Sequence, residues 1–489
     1  MGFEFIDSNG PVDPASRQRI RRQAALGKNL GRKLNRPSRK QAASRPQAVA
    51  PTQASTVGHE EAQQGSRPDE EQVVRLPRPD YQLGNTLTQL RFRKIGPDGL
   101  VMNAISFILQ AARSQDHGIG KAVHTGKVPV FSRFMFHDEA YFHSTIALSL
   151  RALSTRPEAG GLPSMLAIQH MARALQLINS HFATTESISD FNIAVVVVMT
   201  QYTRMSGHMD ECRIHLDGLE RMVQLKGGIN AIRPEIAEKI FRTDLGCAYH
   251  LSAPPRFSMD EVEQFSMATV GPGGILSKAQ RDITLGYVRP DLIQALSSTH
   301  LNIFLDATRL THVLDDAHKG KREWLTISTL HQATLYIGYQ IVGAPQGTPN
   351  ENSDVDLLAR LGLVTFCLSF FRSFDSKIIQ SSPLGTAIYR IIHSVRPRGR
   401  WSEELILWTI FIGHIVQIFD DDLWPVMMQR ARLCMGNLEL TSWQDALRTL
   451  DNYPWSDALH GDTGKILWDA LMLLPASTMS RTQFVVPLR

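Results

Sequence analysis

The sequence predicts an all-α fold: a large body of many packed helices behind a disordered basic N-terminal arm. Three observations carry this prediction. Apolar residues recur at intervals of three and four along most of the chain after residue 96, which is the spacing of amphipathic helices. The hydrophobic fraction of 43% and the charged fraction of 20% are those of an ordinary globular protein. The N-terminal segment differs in composition from everything that follows it.

The N-terminal arm is basic and poor in residues that could form a core. No acidic residue occurs from Arg17 to His59, and Pro, Gln, Ala and Ser dominate. Such a segment cannot bury enough apolar surface to offset the entropy lost on ordering, so we expect disorder. Through Pro68 there are twelve Lys and Arg against five Asp and Glu, a net charge of +7, which leaves −2 for the rest. We assign residues 1–95 to this arm and linker, and residues 96–489 to the helical body.

The first helices of the body are predicted from caps and apolar spacing. Asp98 can cap a helix that runs to about Arg113. Two amphipathic stripes follow, Phe142, Ile146, Leu150 and Leu153, and then Ile168, Met171, Leu175 and Ile178, the second with Ser164 as a cap. The run Ile193 to Met199 contains four consecutive valines, which favour a strand. We predict a buried helix there, because Asp190 can cap it and its neighbours are helical.

The rest of the body also has helical spacing. Further predicted helices are Arg233–Leu251, Pro290–Ala317, Glu323–Val342, Asp354–Phe374, Pro383–Val395, Ser402–Phe419 and Asp462–Leu474. The clearest internal break is Gly343 to Asn350, which is rich in turn formers. We therefore allow for a boundary between two subdomains near residues 343–353.

Cysteine usage and apolar run lengths restrict the classes of protein that fit. Cys212, Cys247, Cys367 and Cys434 are far apart in sequence and lie in apolar helical segments, which indicates buried free thiols rather than a disulfide framework. The longest apolar stretch, Leu405 to Phe419, contains His414 and Gln417 and is too short to span a bilayer. We expect neither a secreted protein nor a membrane protein.

One stretch carries a specific resemblance. It reads His215-Leu216-Asp217-Gly218-Leu219-Glu220-Arg221-Met222-Val223, then Lys226-Gly227-Gly228-Ile229, followed by Asp244-Leu245, Ala248 and Pro254-Pro255-Arg256-Phe257. This resembles the core signature of the helical regulatory domain of fungal zinc-cluster transcription factors. The spacing puts Cys212, His215, Leu219 and Met222 on one helix face. Gly218 lowers helix propensity, so we expect a neighbouring helix to approach the backbone there. Gly227 and Gly228 supply the left-handed residue that ends such a helix.

A second block resembles the same family. It contains Leu407-Trp408 through Gly413, Ser442-Trp443, Tyr453-Pro454-Trp455 and Trp468. The resemblance covers roughly Phe131 to Met472, and the opening Phe3-Glu4-Phe5-Ile6 is similar to members without a zinc cluster. That DNA-binding module needs six closely spaced cysteines, whereas no cysteine precedes Cys212. The sequence therefore predicts a family member without its own zinc cluster, and no metal or other cofactor.

The basic arm is the surface feature with the clearest functional signal. Its density of cations is typical of nuclear import signals and of non-specific phosphate contact, although a solvated tail without a partner has the same composition. No recognition helix for base readout is evident. The candidate residues are Arg17, Arg19, Arg21, Arg22, Lys28, Arg32, Lys33, Arg36, Arg39 and Lys40.

Other motifs favour structural interpretations. His215 is expected to be a hydrogen-bonded core histidine. His312 and Asp316 match an acyltransferase spacing without its glycine, and Asp420-Asp421-Asp422 is expected to cap the next helix rather than to bind magnesium. The C-terminal tryptophans 401, 408, 424, 443, 455 and 468 are expected in the core, with an aromatic ligand pocket as the alternative. We predict no catalytic and no metal-binding residues.

Together these observations predict a nuclear transcriptional regulator or co-regulator that acts through its helical domain. Its expected partners are proteins of the transcription machinery or a second copy of itself, with weak non-specific nucleic-acid contact through the arm and no membrane contact. The alternative is a sensor or scaffold of the same fold that binds a small metabolite or a protein and does not contact DNA. An all-α enzyme without a recognised motif is the third class. The expected structural signature residues are His215, Gly218, Leu219, Gly227, Gly228, Asp244, Trp408, Trp443 and Trp455.

Overall fold

Nearly all elements in the described part of the chain are helices. A computed structural model describes residues 99–107, 123–124, 135, 137–154, 165–183, 188–251, 253–344, 353–370, 383–395 and 399–473. The first helices are 99–107 (α1), Glu139–Ser154 (α2), Met165–Ala183 (α3), Asp190–Met205 (α4), Met209–Lys226 (α5), Pro234–Leu251 (α6), Met259–Phe265 (α7), Met267–Val270 (α8) and Lys278–Leu285 (α9). Then follow Pro290–Ala295 (α10), Ser298–His318 (α11), Ile327–Gly343 (α12), Ser353–Phe370 (α13), Pro383–Ser394 (α14), Arg400–Val416 (α15), Leu423–Asn437 (α16), Trp443–Leu450 (α17) and Asp457–Leu473 (α18).

The all-α prediction is confirmed. Within the described residues, strand structure is limited to Val123–His124 (β1) and Leu325–Thr326 (β2), which pair in parallel with Val123 opposite Leu325. Helix α2 packs on α3 and α4, and α4 packs in turn on α5 and α6. Helix α6 contacts α12, which also contacts α11 and α13. The last layer consists of α15 between α13, α16 and α18.

The packing of α3 differs from its predicted apolar stripe. Ile168 is 45% exposed, whereas the buried face contains Ala167, Met171, Ala174 and Ile178. These positions are four, three and four residues apart. The predicted helical period is therefore correct, but the buried face is rotated relative to the predicted one. The two alanines have small side chains and let α3 lie close to α2, which explains why the contact follows them rather than the larger Ile168.

Helix α4 confirms the predicted buried helix through the four valines, whose exposures are 2% or less. The predicted cap is wrong by one residue. The side chain of Ser189 accepts a hydrogen bond from the Asn192 backbone N–H at 3.1 Å. Asp190 lies in the first turn and instead pairs with Lys226 at 2.7 Å and with Arg233 at 3.3 Å.

Two other predicted helices begin or break at different places. The segment Pro290 to Ala317 forms two helices, because Leu296 is extended and the side chain of Ser297 caps α11. Residues 325–326 belong to β2, and α12 begins after Thr326, whose side chain accepts from the Thr329 N–H at 3.1 Å. The remaining predicted helices are confirmed where the structure describes them, whereas the parts predicted at 108–113 and 371–374 lie outside the described residues.

The start of α18 is stabilised by a distant residue. Asp315 of α11 accepts hydrogen bonds from the Ser456 hydroxyl at 2.6 Å and from the backbone N–H groups of Asp457 and Ala458 at 3.1 Å each. Free N–H groups at a helix N-terminus need acceptors, and a carboxylate there also interacts favourably with the helix dipole. Asp315 therefore caps α18 from another helix.

The predicted internal break near residues 343–353 connects helices that pack on each other. Helix α12 ends at Gly343 and α13 begins at Ser353, and both belong to one compact unit, Lys94–Arg489. The possible subdomain boundary near residues 343–353 stays a prediction. The basic arm, the predicted boundary at residues 95–96 and the caps Asp98 and Ser164 lie outside the described residues.

Candidate functional site

Helix α5 carries the first part of the signature, and its predicted apolar face is confirmed. Cys212, His215, Leu219 and Met222 are all buried. His215 is 2% exposed, and burial lowers its pKa to about 4. Removing an imidazole from water disfavours its charged form, so His215 is neutral at physiological pH. This placement confirms a core histidine rather than a solvent-accessible acid or base.

The glycines of the signature have different roles. Gly227 and Gly228 have φ angles of 104° and 92°, and the Gly228 N–H donates to the Val223 carbonyl at 2.9 Å, which confirms the predicted helix end. The prediction for Gly218 is wrong. A Cβ atom built there would meet no heavy atom within 4 Å, so none of the described helices lies against its backbone.

Asp244 joins three parts of the signature region. It is 1% exposed and accepts from the Arg256 and Phe257 backbone N–H groups at 2.9 and 3.2 Å and from the Tyr339 hydroxyl at 2.7 Å. The side chain of Arg256 pairs with Asp217 of α5 at 2.8 Å. The separate motifs around residues 217, 244 and 256 thus form one cluster, which we call the signature cluster.

Polar contacts continue along the interface of α6 and α12. Glu238 lies 2.5 Å from Nδ1 of His331, and the Tyr249 hydroxyl donates to the Gly338 carbonyl at 3.3 Å. A Cβ at Gly338 would lie 2.9 Å from the Tyr249 oxygen, so this close approach depends on glycine. Together with Asp244 and Tyr339, these pairs tie the two helices at three levels.

Two cysteines that are far apart in sequence are neighbours in the structure. All four cysteines are buried and free, as predicted. The Sγ atoms of Cys212 in α5 and Cys247 in α6 are 3.3 Å apart. The hydrogen bond between the two thiols lowers the pKa of Cys212 and raises the pKa of Cys247 well above its usual value. The contact between α5 and α6 brings these thiols together, which sequence spacing did not indicate.

A cavity of about 360 Å³ opens beside the end of α6, and we call it the α13 cavity. Its lining consists of Ala248, Tyr249, Ala253, Pro254, Ile341, Val342, Leu357, Arg360, Leu361, Val364, Pro383, Leu384 and Ala387. Ala248 and Pro254 belong to the signature, and their small side chains leave the space open. Sequence reasoning missed Tyr249 and Arg360. Arg360 follows an apolar segment of α13, and only the fold shows that it faces a cavity.

The C-terminal tryptophans form a packed layer. The aromatic layer comprises Trp401, Trp408, Phe411, Trp443, Tyr453, Trp455 and Trp468. Trp408 is 0% exposed, donates through Nε1 to the Pro454 carbonyl at 3.1 Å and stacks on Tyr453 with ring centroids 5.8 Å apart. Phe411 contacts Trp443 and Trp455 at 6.4 and 6.2 Å. The core interpretation of these residues is confirmed, and Trp443 is the partly exposed member at its edge.

A family model described as the fungal specific transcription factor domain matches residues 127–430. This span is more than half of the chain and contains α2 to α15, the signature cluster, the α13 cavity and Trp408. The chain belongs to this family. Comparison with curated proteins and with solved structures finds no match.

Membership of the fungal-specific transcription factor domain family confirms the resemblance seen in the sequence and indicates a role in transcription regulation. The family is a transcription factor domain and not a class of enzyme. Trp443, Trp455 and Trp468 lie beyond the matched residues but pack on the matched helix α15 through Phe411 and through one another.

The remaining motifs occupy structural positions in this family member. Asp422 occupies the N-cap of α16 without a side-chain cap bond, whereas the Oδ1 atom of Asp420 accepts from the Leu423 N–H at 2.9 Å, so Asp420 alone of the three contacts the helix start. His312 contacts the Tyr287 ring edge-on, with centroids 5.8 Å apart. Among the described residues, no group of three or more His, Cys, Asp or Glu side chains could hold a metal ion.

The cationic candidates Arg17 to Lys40 lie outside the described residues, so their role stays a prediction. Of the described helices, none is both long enough and apolar enough to cross a membrane.

Proposed function

We propose that this family member regulates transcription through its helical body and reaches DNA through other proteins. The observation that carries the proposal is the match over residues 127–430, in a sequence with no cysteine before Cys212. A zinc cluster holds two zinc ions with six closely spaced cysteines, and these 489 residues contain four in all. The body would therefore act by recruiting partners of the transcription machinery or by assembling with a second copy.

The basic arm supports nuclear entry in this proposal. Five cations fall within nine residues at Arg32, Lys33, Arg36, Arg39 and Lys40, and the rest of the chain after Pro68 is nearly neutral. Import receptors recognise such clusters, and phosphate contacts of the same cations are independent of sequence. The arm would thus determine location, whereas the body would determine which promoters are occupied.

Chromatin occupancy tests this division of roles. We would compare a tagged full-length chain with a variant lacking residues 1–59, and with the same variant fused to an unrelated nuclear import peptide. Deletion should remove occupancy, and the import peptide should restore it at the same sites. If the import peptide restores nuclear location but not occupancy, the arm contacts DNA or a partner directly, and the proposal is wrong.

A second measurement isolates the five clustered cations. Changing Arg32, Lys33, Arg36, Arg39 and Lys40 to Gln should move the tagged protein out of the nucleus. A control variant with Lys278, Lys319 and Lys321 changed to Gln removes exposed cations of the body and should stay nuclear. Duplex binding by the full chain should be weak, indifferent to sequence and steeply reduced by salt, because it depends on counterion release.

The second candidate function is a sensor of the same fold that does not contact DNA. The α13 cavity favours it, because small-molecule sites are mostly apolar concavities with a few polar groups. Exclusion of the full-length chain from the nucleus would support the sensor and contradict the first proposal.

A further inference from the structure

The α13 cavity combines an apolar wall with a single cationic group. Eleven of its thirteen lining residues are aliphatic or proline, contributed by α6, α12, α13, α14 and the segment after α6. The polar exceptions are Tyr249 and Arg360. A volume of about 360 Å³ falls in the range of small-molecule sites, roughly 300–1,000 Å³. Such a wall favours a hydrocarbon ligand over a polar one.

Arg360 has no carboxylate partner among the residues that the structure describes. Its side chain is half-buried, and within the described part of the chain it takes part in no ion pair or hydrogen bond. Burial lowers the pKa of Arg360, and the one nearby group that raises it is the Tyr249 phenol. A guanidinium withdrawn from water without a counter-charge is destabilising, because its lost hydration is not replaced.

Two other half-buried arginines of the body bind acids. Arg281 binds Asp306 through two nitrogens at 2.5 and 2.8 Å, and Arg289 lies 2.6 Å from Asp291 and 3.1 Å from Glu404. Half-buried Arg309, in contrast, has no ion pair among the described residues, and burial lowers its pKa too. At Arg360 no described residue supplies such a carboxylate.

Tyr249 is already held by the protein. Its hydroxyl donates to the Gly338 carbonyl at 3.3 Å, and burial raises its pKa well above the usual value. The phenol is therefore neutral and cannot neutralise Arg360. It forms a fixed wall of the cavity beside the guanidinium.

We propose that the α13 cavity binds an aliphatic carboxylate, with the hydrocarbon chain against the aliphatic lining and the carboxylate on the Arg360 guanidinium. Planar guanidinium groups bind carboxylates through two parallel hydrogen bonds, which are stronger than neutral ones. The aliphatic lining stabilises the chain in proportion to the apolar area removed from water. This inference concerns binding alone, so it holds or fails independently of the proposed role in transcription.

Calorimetric titration of the full-length chain with decanoate, decanol and decyltrimethylammonium tests the proposal. The three probes share a hydrocarbon chain and differ in charge. Decanoate should bind about tenfold or more tightly than decanol, in line with a hydrogen-bonded charged pair, and the cation should not bind. Equal affinity for decanoate and decanol, or no binding of decanoate, would overturn the proposal.

Variants locate the binding in this cavity. Arg360→Gln should lower decanoate affinity to that of decanol, and Ala387→Phe, which places a ring in the cavity, should abolish binding of both. Arg390→Gln is the matched control, because Arg390 is an exposed arginine of α14 outside the lining. Circular dichroism would verify that each variant is folded. Unchanged decanoate affinity in folded Arg360→Gln would show that the carboxylate is bound elsewhere.

Discussion

The signature cluster and the aromatic layer hold their helices together by different means. Between α6 and α12 there are three polar pairs, Glu238 with His331, Asp244 with Tyr339 and Tyr249 with Gly338, beside an edge-on ring contact of Phe241 with Tyr339. A cavity remains at the end of the interface. Between α13, α15, α17 and α18 large rings fill the space. Polar pairs fix geometry and tolerate a gap, whereas close-packed rings exclude one.

The largest expected effect lies in the aromatic layer. Trp408→Ala should lower the free energy of unfolding by about 3–5 kcal/mol, because it removes a fully buried ring and leaves a cavity. Urea denaturation followed by far-ultraviolet circular dichroism measures the change. Trp324 is 42% exposed, and Trp324→Ala should cost far less. Similar losses in both variants would contradict the packing described for this layer.

The next effect concerns the polar hub of the signature cluster. Asp244→Ala removes the acceptor for two backbone N–H groups and the Tyr339 hydroxyl, so we expect a loss of about 3 kcal/mol in the same assay. Asp217→Ala is the control, since it removes an exposed partner of Arg256 and should cost less than about 1 kcal/mol. If the two variants were equally stable, Asp244 would not be the anchor of this region.

The pH dependence of stability separates the two regions further. The pKa of His215 is about 4 in the fold and about 6.5 in an unfolded chain. The stability that this neutral histidine contributes is present above pH 6.5 and is lost as the pH falls toward 4. Between pH 7 and pH 5 the wild type should lose about 2 kcal/mol that His215→Leu retains.

His208 is the control for that measurement, because it precedes α5 and its side chain is 55% exposed. Urea denaturation of His208→Leu at the same pH values should follow the wild type. A wild-type pH slope in His215→Leu would show that the buried imidazole does not cause the loss.

The smallest effects have opposite signs in the two regions. A Cβ at Gly464 would lie 2.6 Å from Cη2 of Trp455, so Gly464→Ala should lose about 1 kcal/mol after its gain in helix propensity. Gly218→Ala meets open space and should gain about 1 kcal/mol. Melting temperatures should therefore move in opposite directions. A lower melting temperature in Gly218→Ala would indicate a close helix contact at this position, contrary to the structure.

Local sequence signals predicted most helices. They failed for contacts that depend on an element far away in the sequence. The apolar spacing placed α2 and α15, the helical neighbours placed α4, and the glycine pair after Lys226 placed the end of α5. The same reasoning put a close contact at Gly218, because a glycine in a helix has no local explanation. Close approaches occur at other glycines, among them Gly338, against Leu245 and Tyr249, and Gly464, against Trp455. Which glycine meets a neighbour depends on tertiary packing.

The sequence predicted the motifs of the candidate site but not the contacts between them. Asp244 and Arg256 were recognised as parts of a signature, yet the bond between them and the contact of Arg256 with Asp217 arise from how α5 and α6 fold together. Nothing in the sequence pointed to Arg360. Only the structure shows that no acid of the described residues pairs with it. Similarly, the contact of Cys212 with Cys247 joins residues 35 positions apart.

The Asp315 cap bears on the order in which the chain folds. The backbone N–H groups that it accepts lie 142 and 143 residues further along the sequence, so α18 receives its N-terminal acceptor only after α11 has been built and positioned. Contacts of such long separation form late, because the intervening chain must first lose its freedom. During synthesis α11 leaves the ribosome well before α18 has been made. Until then the Asp315 carboxylate has no contact with α18. We therefore expect α18 to dock as one of the last steps, onto helices that are already in place.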